Sequence, residues 1–123
     1  MMTFIEMVEQ NCRLHPERDA VCEGNRRLNY GELWIYSASV YAYLHRRHIG
    51  PGDVVMLHLG NTTDTIIACI GVLRAGAAFV IAGRDQTPQA VHYMGDDCGC
   101  KAWIDDDNFR QILNGKGKNG LVP

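Results

Sequence analysis

Between Asn61 and Gly83 the chain reads NTTDTIIACIGVLRAGAAFVIAG, and its polar and apolar positions change period twice. The polar opening predicts a helix start, with Asn61 as N-cap and Asp64 in the first turn. Ile66, Ile67, Ile70, Val72 and Leu73 then surround a helix that is covered on most sides. Gly71 costs such a helix about 1 kcal/mol relative to alanine, so close backbone contact is the expected compensation. Gly76 stops the helix. Ala77 to Ile81 is an unbroken apolar run, the pattern of a strand buried on both faces of a parallel sheet.

The flanking segments fit around this unit. Phe4, Ile5, Met7, Val8 and Cys12 predict an amphipathic helix from Thr3 to Leu14, with Thr3 as cap and His15-Pro16 as stop. Ala20 to Glu23 and Arg26 to Asn29 read as two short strands joined at Gly24-Asn25, a small hairpin. Asn29 with Glu32 has capping-box spacing. The helix it starts runs to about His48 and places Leu33, Ser37, Val40, Tyr41 and Leu44 on one face. Arg46, Arg47 and His48 suit its C-terminal dipole, and Gly50 is its expected end. Val54 to Leu59 is a strand, and Gly60-Asn61 is the tight turn into the central helix. Thr87 to Cys98 is a helix capped by Thr87 with Pro88 in its first turn. Lys101 to Asp105 is a third parallel strand, followed by a short helix capped by Asp107 or Asn108 and running through Leu113.

The pattern predicts an α/β fold, with a small, mainly parallel sheet flanked by helices and an N-terminal β-hairpin. Residues 1–113 form the domain. Residues 114–123 form a glycine- and lysine-rich flexible tail, and Leu121-Val122-Pro123 is compatible with a protease-site linker left by recombinant expression.

With 46% hydrophobic residues among 123, the chain has material for a true core. A net charge of −2, with no basic run, argues against nucleic acid as a partner. The most apolar stretch is too short and too broken by Arg74 and its glycines to span a membrane. Five irregularly spaced cysteines read as reduced thiols of a cytoplasmic protein.

Candidate chemistry is thin. No G-x-x-x-x-G-K-(S/T) or G-x-G-x-x-G loop is present. Gly115-Lys116-Gly117-Lys118 has the composition of a phosphate loop without a strand before it or a helix after it. Cys98-Gly99-Cys100 has no second pair to complete a zinc site. His45 and His48 lack a third ligand. Asp105-Asp106-Asp107 is explained by a strand end leading into a helix cap. The Gly60-Asn61 turn lies at a strand's carboxyl end and presents a helix N-terminus, the place where open α/β folds take ligands and anions. It therefore supports a minor reading as a nucleotide site.

Two segments resemble a known family. Leu28-Asn29-Tyr30-Gly31-Glu32-Leu33 is similar to the first core motif of adenylate-forming enzymes, L-(S/T)-Y-x-E-L. Leu73-Arg74-Ala75-Gly76-Ala77-Ala78-Phe79-Val80 is similar to the second, L-K-A-G-x-A-Y-V-P. Ile49 to Val54, Gly60-Asn61, and Pro88 to Asp97 ahead of Lys101-Ala102-Trp103-Ile104 agree in order, so the resemblance runs from about Phe4 to Ile112. Asn29 replaces Ser or Thr, and Ile81-Ala82-Gly83 stands where the family usually has Pro, Ile or Leu, then Asp or Asn.

The family includes acyl-CoA synthetases and non-ribosomal peptide synthetase adenylation domains. The resemblance implies the N-terminal subdomain of such a ligase. The parent would activate a carboxylic or amino acid with ATP and magnesium and pass it to a thiol. The family's ATP loop, magnesium and carboxylate residues and catalytic lysine lie beyond the matched region. No catalytic, cofactor-binding or metal residue is therefore assigned, and no cofactor is expected for this chain. The isolated chain is expected to be inactive. Its expected partners are the remainder of the ligase or neighbouring synthetase domains, with self-association through uncovered apolar surface. The alternative is a catalytically empty docking module beside a non-ribosomal peptide synthetase or polyketide synthase. The acid and the thiol acceptor, coenzyme A or a carrier protein, are not legible.

Overall fold

A computed structural model of the chain describes residues 1–114. In chain order the elements are α1 (Phe4–Leu14), β1 (Asp19–Glu23), β2 (Arg26–Asn29), α2 (Tyr30–Arg46), β3 (Val54–His58), α3 (Thr62–Arg74), β4 (Ala78–Ile81), α4 (Pro88–Cys98), β5 (Ala102–Asp105) and α5 (Asp106–Leu113). The expected tail lies almost wholly outside the described residues.

Local chemistry sets most of the boundaries. Thr3 and Asn29 each form a capping box, with Glu6 and Glu32 as the third helical residues. At α2 the Asn29 side chain accepts from the Glu32 N–H at 2.7 Å, and the Asn29 N–H donates to the Glu32 carboxylate at 2.9 Å. Thr87 caps α4 through the Ala90 N–H at 3.1 Å. The last helix departs from expectation. Its cap is Asp105, with Asn108 returning the bond, because the strand runs straight into the helix without a spacer.

The end of α2 also differs. The helix stops at Arg46, and the left-handed position falls on His48 (φ +60°), not Gly50. The His48 N–H donates to the His45 carbonyl and the Ile49 N–H to the Leu44 carbonyl, both at 3.0 Å. That is the Schellman pattern, here built on a residue with a side chain. The Ile49 N–H reaches back past His48, and Ile49 and Leu44 are both buried, so their contact fixes the register of the stop. α3 ends the same way on Gly76 (φ +81°), with the Ala77 N–H donating to the Val72 carbonyl at 3.2 Å.

β1 and β2 form the antiparallel hairpin, and β3, β4 and β5 form a parallel sheet in the order β4-β3-β5. Val55 pairs with Phe79 and Ala102, and Met56 with Val80 and Trp103. The period of two divides the sheet cleanly. Val55, Leu57, Ala102 and Ile104 face the main core with α2, α3 and α5. Met56, Val80 and Trp103 face the other way, toward Val91 and Met94 of α4. The strand buried on both faces is β3, whose Val55, Met56 and Leu57 are fully buried. β4 is an edge strand with Ala78 and Ile81 exposed, which corrects the expectation for the 77–81 run. A continuous apolar run marks a two-sided environment but says nothing about how many neighbours the strand has.

The close contact expected at Gly71 lies against α2. A Cβ at Gly71 would sit 2.4 Å from Val40 Cβ and 3.0 Å from the Ser37 carbonyl oxygen. Gly71→Ala should therefore lose about 1–3 kcal/mol in urea denaturation, despite the better helix propensity of alanine. Gly71→Ala should cost less in a Val40→Gly background, which removes the Cβ it would strike, a coupling that a double-mutant cycle measures. His48→Gly should instead raise stability by about 0.5–1 kcal/mol by relieving the left-handed position.

Candidate functional site

The turn between β3 and α3 is the place the sequence singles out for ligands. Its geometry is fixed by side chains from three other segments. The Gly60 N–H donates to Asp106 Oδ1 at 3.1 Å, and the Gly60 carbonyl accepts from Arg84 Nη1. A side chain at Gly60 would meet Asp106 Oδ2 at 2.8 Å. Asn61 caps α3 as expected, accepting from the Asp64 N–H at 2.8 Å. A shallow hollow of about 210 Å3 opens beside the turn, with Asn61, Thr62, Thr65, Ile81 and Arg84 on its wall.

The helix N-terminus itself is already occupied by an anion of the same chain. Glu23, at the tip of the hairpin, accepts from the Thr62 N–H at 3.1 Å, the Thr63 N–H at 2.9 Å and the Thr63 hydroxyl at 2.6 Å. These bonds hold its carboxyl well below the ordinary range, at about 2, with the Thr63 hydroxyl as the largest cause. Arg26, beside it on the hairpin, pairs with Asp64 at 3.2 Å. The donors that would cradle a phosphate are therefore spent on docking the hairpin. The minor reading of this turn as a nucleotide site loses its main physical support.

Arg74 closes the other end of α3. Its guanidinium donates to the Trp34 carbonyl at 2.8 Å and to the Ser37 hydroxyl at 2.9 Å, and lies 3.6 Å above the Trp34 ring centroid. Burial pulls its pKa below the usual value, but guanidinium stays charged in proteins. Both bonds leave Nη1, and together with the stacking they make Arg74 a clamp between α2 and α3.

The remaining candidates separate. His45 stacks on Tyr41 at 5.6 Å, while His48 sits in the left-handed stop. Asp105 caps α5 and Asp106 holds Gly60. No group of three or more potential metal ligands occurs among the described residues. All five cysteines are free thiols, and burial pushes Cys69 up to about 11, as expected of an inert core thiol. Gly115 to Lys118 lies outside the described residues. Among the described residues no helix is long and apolar enough to cross a membrane. Glu23, Arg84 and the clamp role of Arg74 went unread in the sequence. Glu23 lies 39 residues from Thr62, and no local pattern links them.

A family model described as AMP-binding enzyme matches residues 8–121. The chain belongs to the AMP-binding enzyme family. Its relatives include the malformin synthetase mlfA of Aspergillus tubingensis, 34% identical over 89 residues, 72% of this chain and 2% of that protein. The nonribosomal peptide synthetase nlsA of Emericella nidulans is 33% identical over 118 residues, 96% of this chain and 2% of that one. The fold matches the N-terminal subdomain of Klebsiella oxytoca NpsA, solved in complex with 3-hydroxyanthranilyl-AMSN. That match has a TM-score of 0.82 and 17% identity, and covers all of this chain and 34% of that one. The chain thus spans about one-fiftieth of these synthetases and about a third of that subdomain. It is a partial adenylation domain. One matched motif starts α2 at a capping box, and the other stops α3 and leads into β4.

Two outcomes test the site. Glu23 has its pKa lowered from 4.5 to about 2, so its docking bonds stabilise the fold fully above the unfolded value. Stability should fall as pH drops from about 4.5 toward 2, and Glu23→Gln should lower stability at pH 7 while flattening that acid limb in pH-dependent denaturation. Arg74→Ala should cost about 2–3 kcal/mol, from lost charged hydrogen bonds and the cation–π contact, with a shift in Trp34 fluorescence.

Proposed function

We propose that this chain is the N-terminal part of a non-ribosomal peptide synthetase-type adenylation domain. The parent would activate a carboxylic or amino acid with ATP and magnesium and deliver it to a thiol. The observation that carries this reading is the family match over residues 8–121, combined with coverage of 34% of a solved adenylation subdomain. Residues 1–113 act as a scaffold layer in that domain. They hold no catalytic residue, and ATP and magnesium are bound by the rest of the parent.

The plugged N-terminus of α3 supports this division of labour. In a stand-alone nucleotide-binding domain the turn after the first parallel strand is the natural phosphate site, and here Glu23 fills it. The partners of the chain are the remaining adenylation domain and its neighbours in the synthetase. A second reading, a catalytically empty docking module, draws on the apolar side chains left at the surface, among them Phe4, Ile35 and Ile81.

The isolated chain should show no ATP binding by calorimetry at millimolar nucleotide, with or without magnesium. The complete adenylation domain should catalyse acid-dependent exchange of pyrophosphate into ATP. Saturable ATP binding by the isolated chain, abolished by Asn61→Ala, would overturn the assignment of nucleotide binding to the rest of the parent.

A further inference from the structure

A hollow of about 400 Å3 opens where the last turn of α2 passes α5, with Tyr43, Arg46, Arg47, Asn108, Gln111 and Ile112 on its wall. The function proposed above uses none of these residues. The fold places several of them for local reasons. Arg47 is the C-cap residue of α2, and the left-handed His48 turns the chain away directly after it. Asn108 is fixed by two bonds. Its side chain accepts from the Asp105 N–H at 2.9 Å and donates to the Trp103 carbonyl at 2.8 Å. Ile112 is buried in the main core. The hollow therefore has a fixed amide and apolar side on α5 and a cationic side on α2.

The two cations are uncommitted. The ion pairs among the described residues use Arg13, Arg26, Arg27 and Lys101. Arg74 and Arg84 spend their guanidinium groups on backbone carbonyls. Arg46 and Arg47 have neither kind of partner among the described residues. Arg47 is nonetheless held in place, because its guanidinium carbon lies 4.0 Å from the Tyr43 ring centroid. Stacking uses the flat face of the guanidinium and leaves the N–H groups along its edge free to donate. Basic residues in a last helical turn complement the helix dipole, but that role needs neither a stacked ring nor a hollow. Positions 39, 43 and 46 follow one face of α2. Ser39 on that face is 2% exposed, and its hydroxyl has no partner among the described residues. An unpaired buried hydroxyl thus lies one turn from Tyr43, on the side of α2 that carries the hollow.

We infer that this hollow binds a phosphate monoester of a small organic group. Two guanidinium groups, one of them pre-oriented, supply the charge and the planar fork that phosphate oxygens take. Gln111 adds an amide donor. The volume falls within the range of small-molecule sites, about 300–1,000 Å3, and exceeds what a phosphoryl group alone fills. Ile112 and the Tyr43 side chain receive the organic part. The hollow shares no residue with the one beside the Gly60 turn, and the inference does not depend on the ligase reading.

Heteronuclear NMR titration with phenyl phosphate tests it, in the 123-residue chain and in the complete adenylation domain, with ionic strength held constant by sodium chloride. Above neutral pH the monoester is a dianion. The Arg47, Asn108 and Gln111 signals should shift saturably in both proteins. Inorganic phosphate should bind about threefold or more weakly, because it leaves the apolar wall unused. Arg47→Gln should weaken phenyl phosphate about 10-fold, and Arg47→Lys, which keeps the charge and loses the fork, about threefold. Both variants should keep the thermal midpoint, because the Arg47 side chain is exposed. Saturable shifts that survive Arg47→Gln would overturn the inference. Equal binding of phosphate and phenyl phosphate would overturn it in favour of a simple anion site. Shifts with hexaglutamate and none with phenyl phosphate would overturn it in favour of a surface for acidic peptides. Binding seen in the complete domain alone supports it, since α2 and α5 are present there. Binding lost in the complete domain, or seen in neither protein, overturns it.

Discussion

The architecture depends on how closely α2 and α3 approach each other. Gly71 lets the Val40 side chain lie where a Cβ would be, 2.4 Å from its ideal position. That proximity brings the Trp34 ring and carbonyl and the Ser37 hydroxyl within reach of Arg74, one turn further along α3. The same seam thus has a steric contact and a charged one, and neither is satisfied if the helices separate. α2 and α3 in turn roof the main-core face of the sheet, where Val55, Leu57 and Ile104 are buried.

A second constraint ties the N-terminal hairpin to this core. A helix N-terminus leaves backbone N–H groups without partners, and α3 meets that need from within the chain, through Asn61 and the Glu23 carboxylate. The turn that looks like an anion site is consequently a joint. The two matched motifs place its neighbours: Leu28 to Leu33 positions the start of α2, and Leu73 to Val80 positions the end of α3 and the entry into β4. Arginine at position 74 preserves a cation there and adds planar stacking. Ile81, where the family usually has proline, turns its N–H away from β3, so either residue leaves the ladder intact.

Features set by residues close in sequence were legible. Thr3, Asn29, Asn61 and Thr87 cap their helices as read, because a cap is decided within four residues. The α/β class and the hairpin followed from period and turn chemistry, and the family from motif order. What failed required spatial neighbours. The apolar 77–81 run could not reveal that β4 has a single pairing partner among the described residues. The stop of α2 at His48 went unread because glycine, waiting at position 50, is the cheaper left-handed residue. Three successive aspartates left the α5 cap ambiguous until the end of β5 was fixed. At the Gly60 turn the cap was legible, but Glu23, Arg84 and Asp106 arrive from distant segments and reverse its meaning.

The central claim is that this fold is one layer of a larger adenylation domain. Intact mass spectrometry of the native product from the source cells tests it most directly. The expected product is a polypeptide several times larger than 13.7 kDa. A native product near 13.7 kDa would contradict it and leave the docking-module reading in its place.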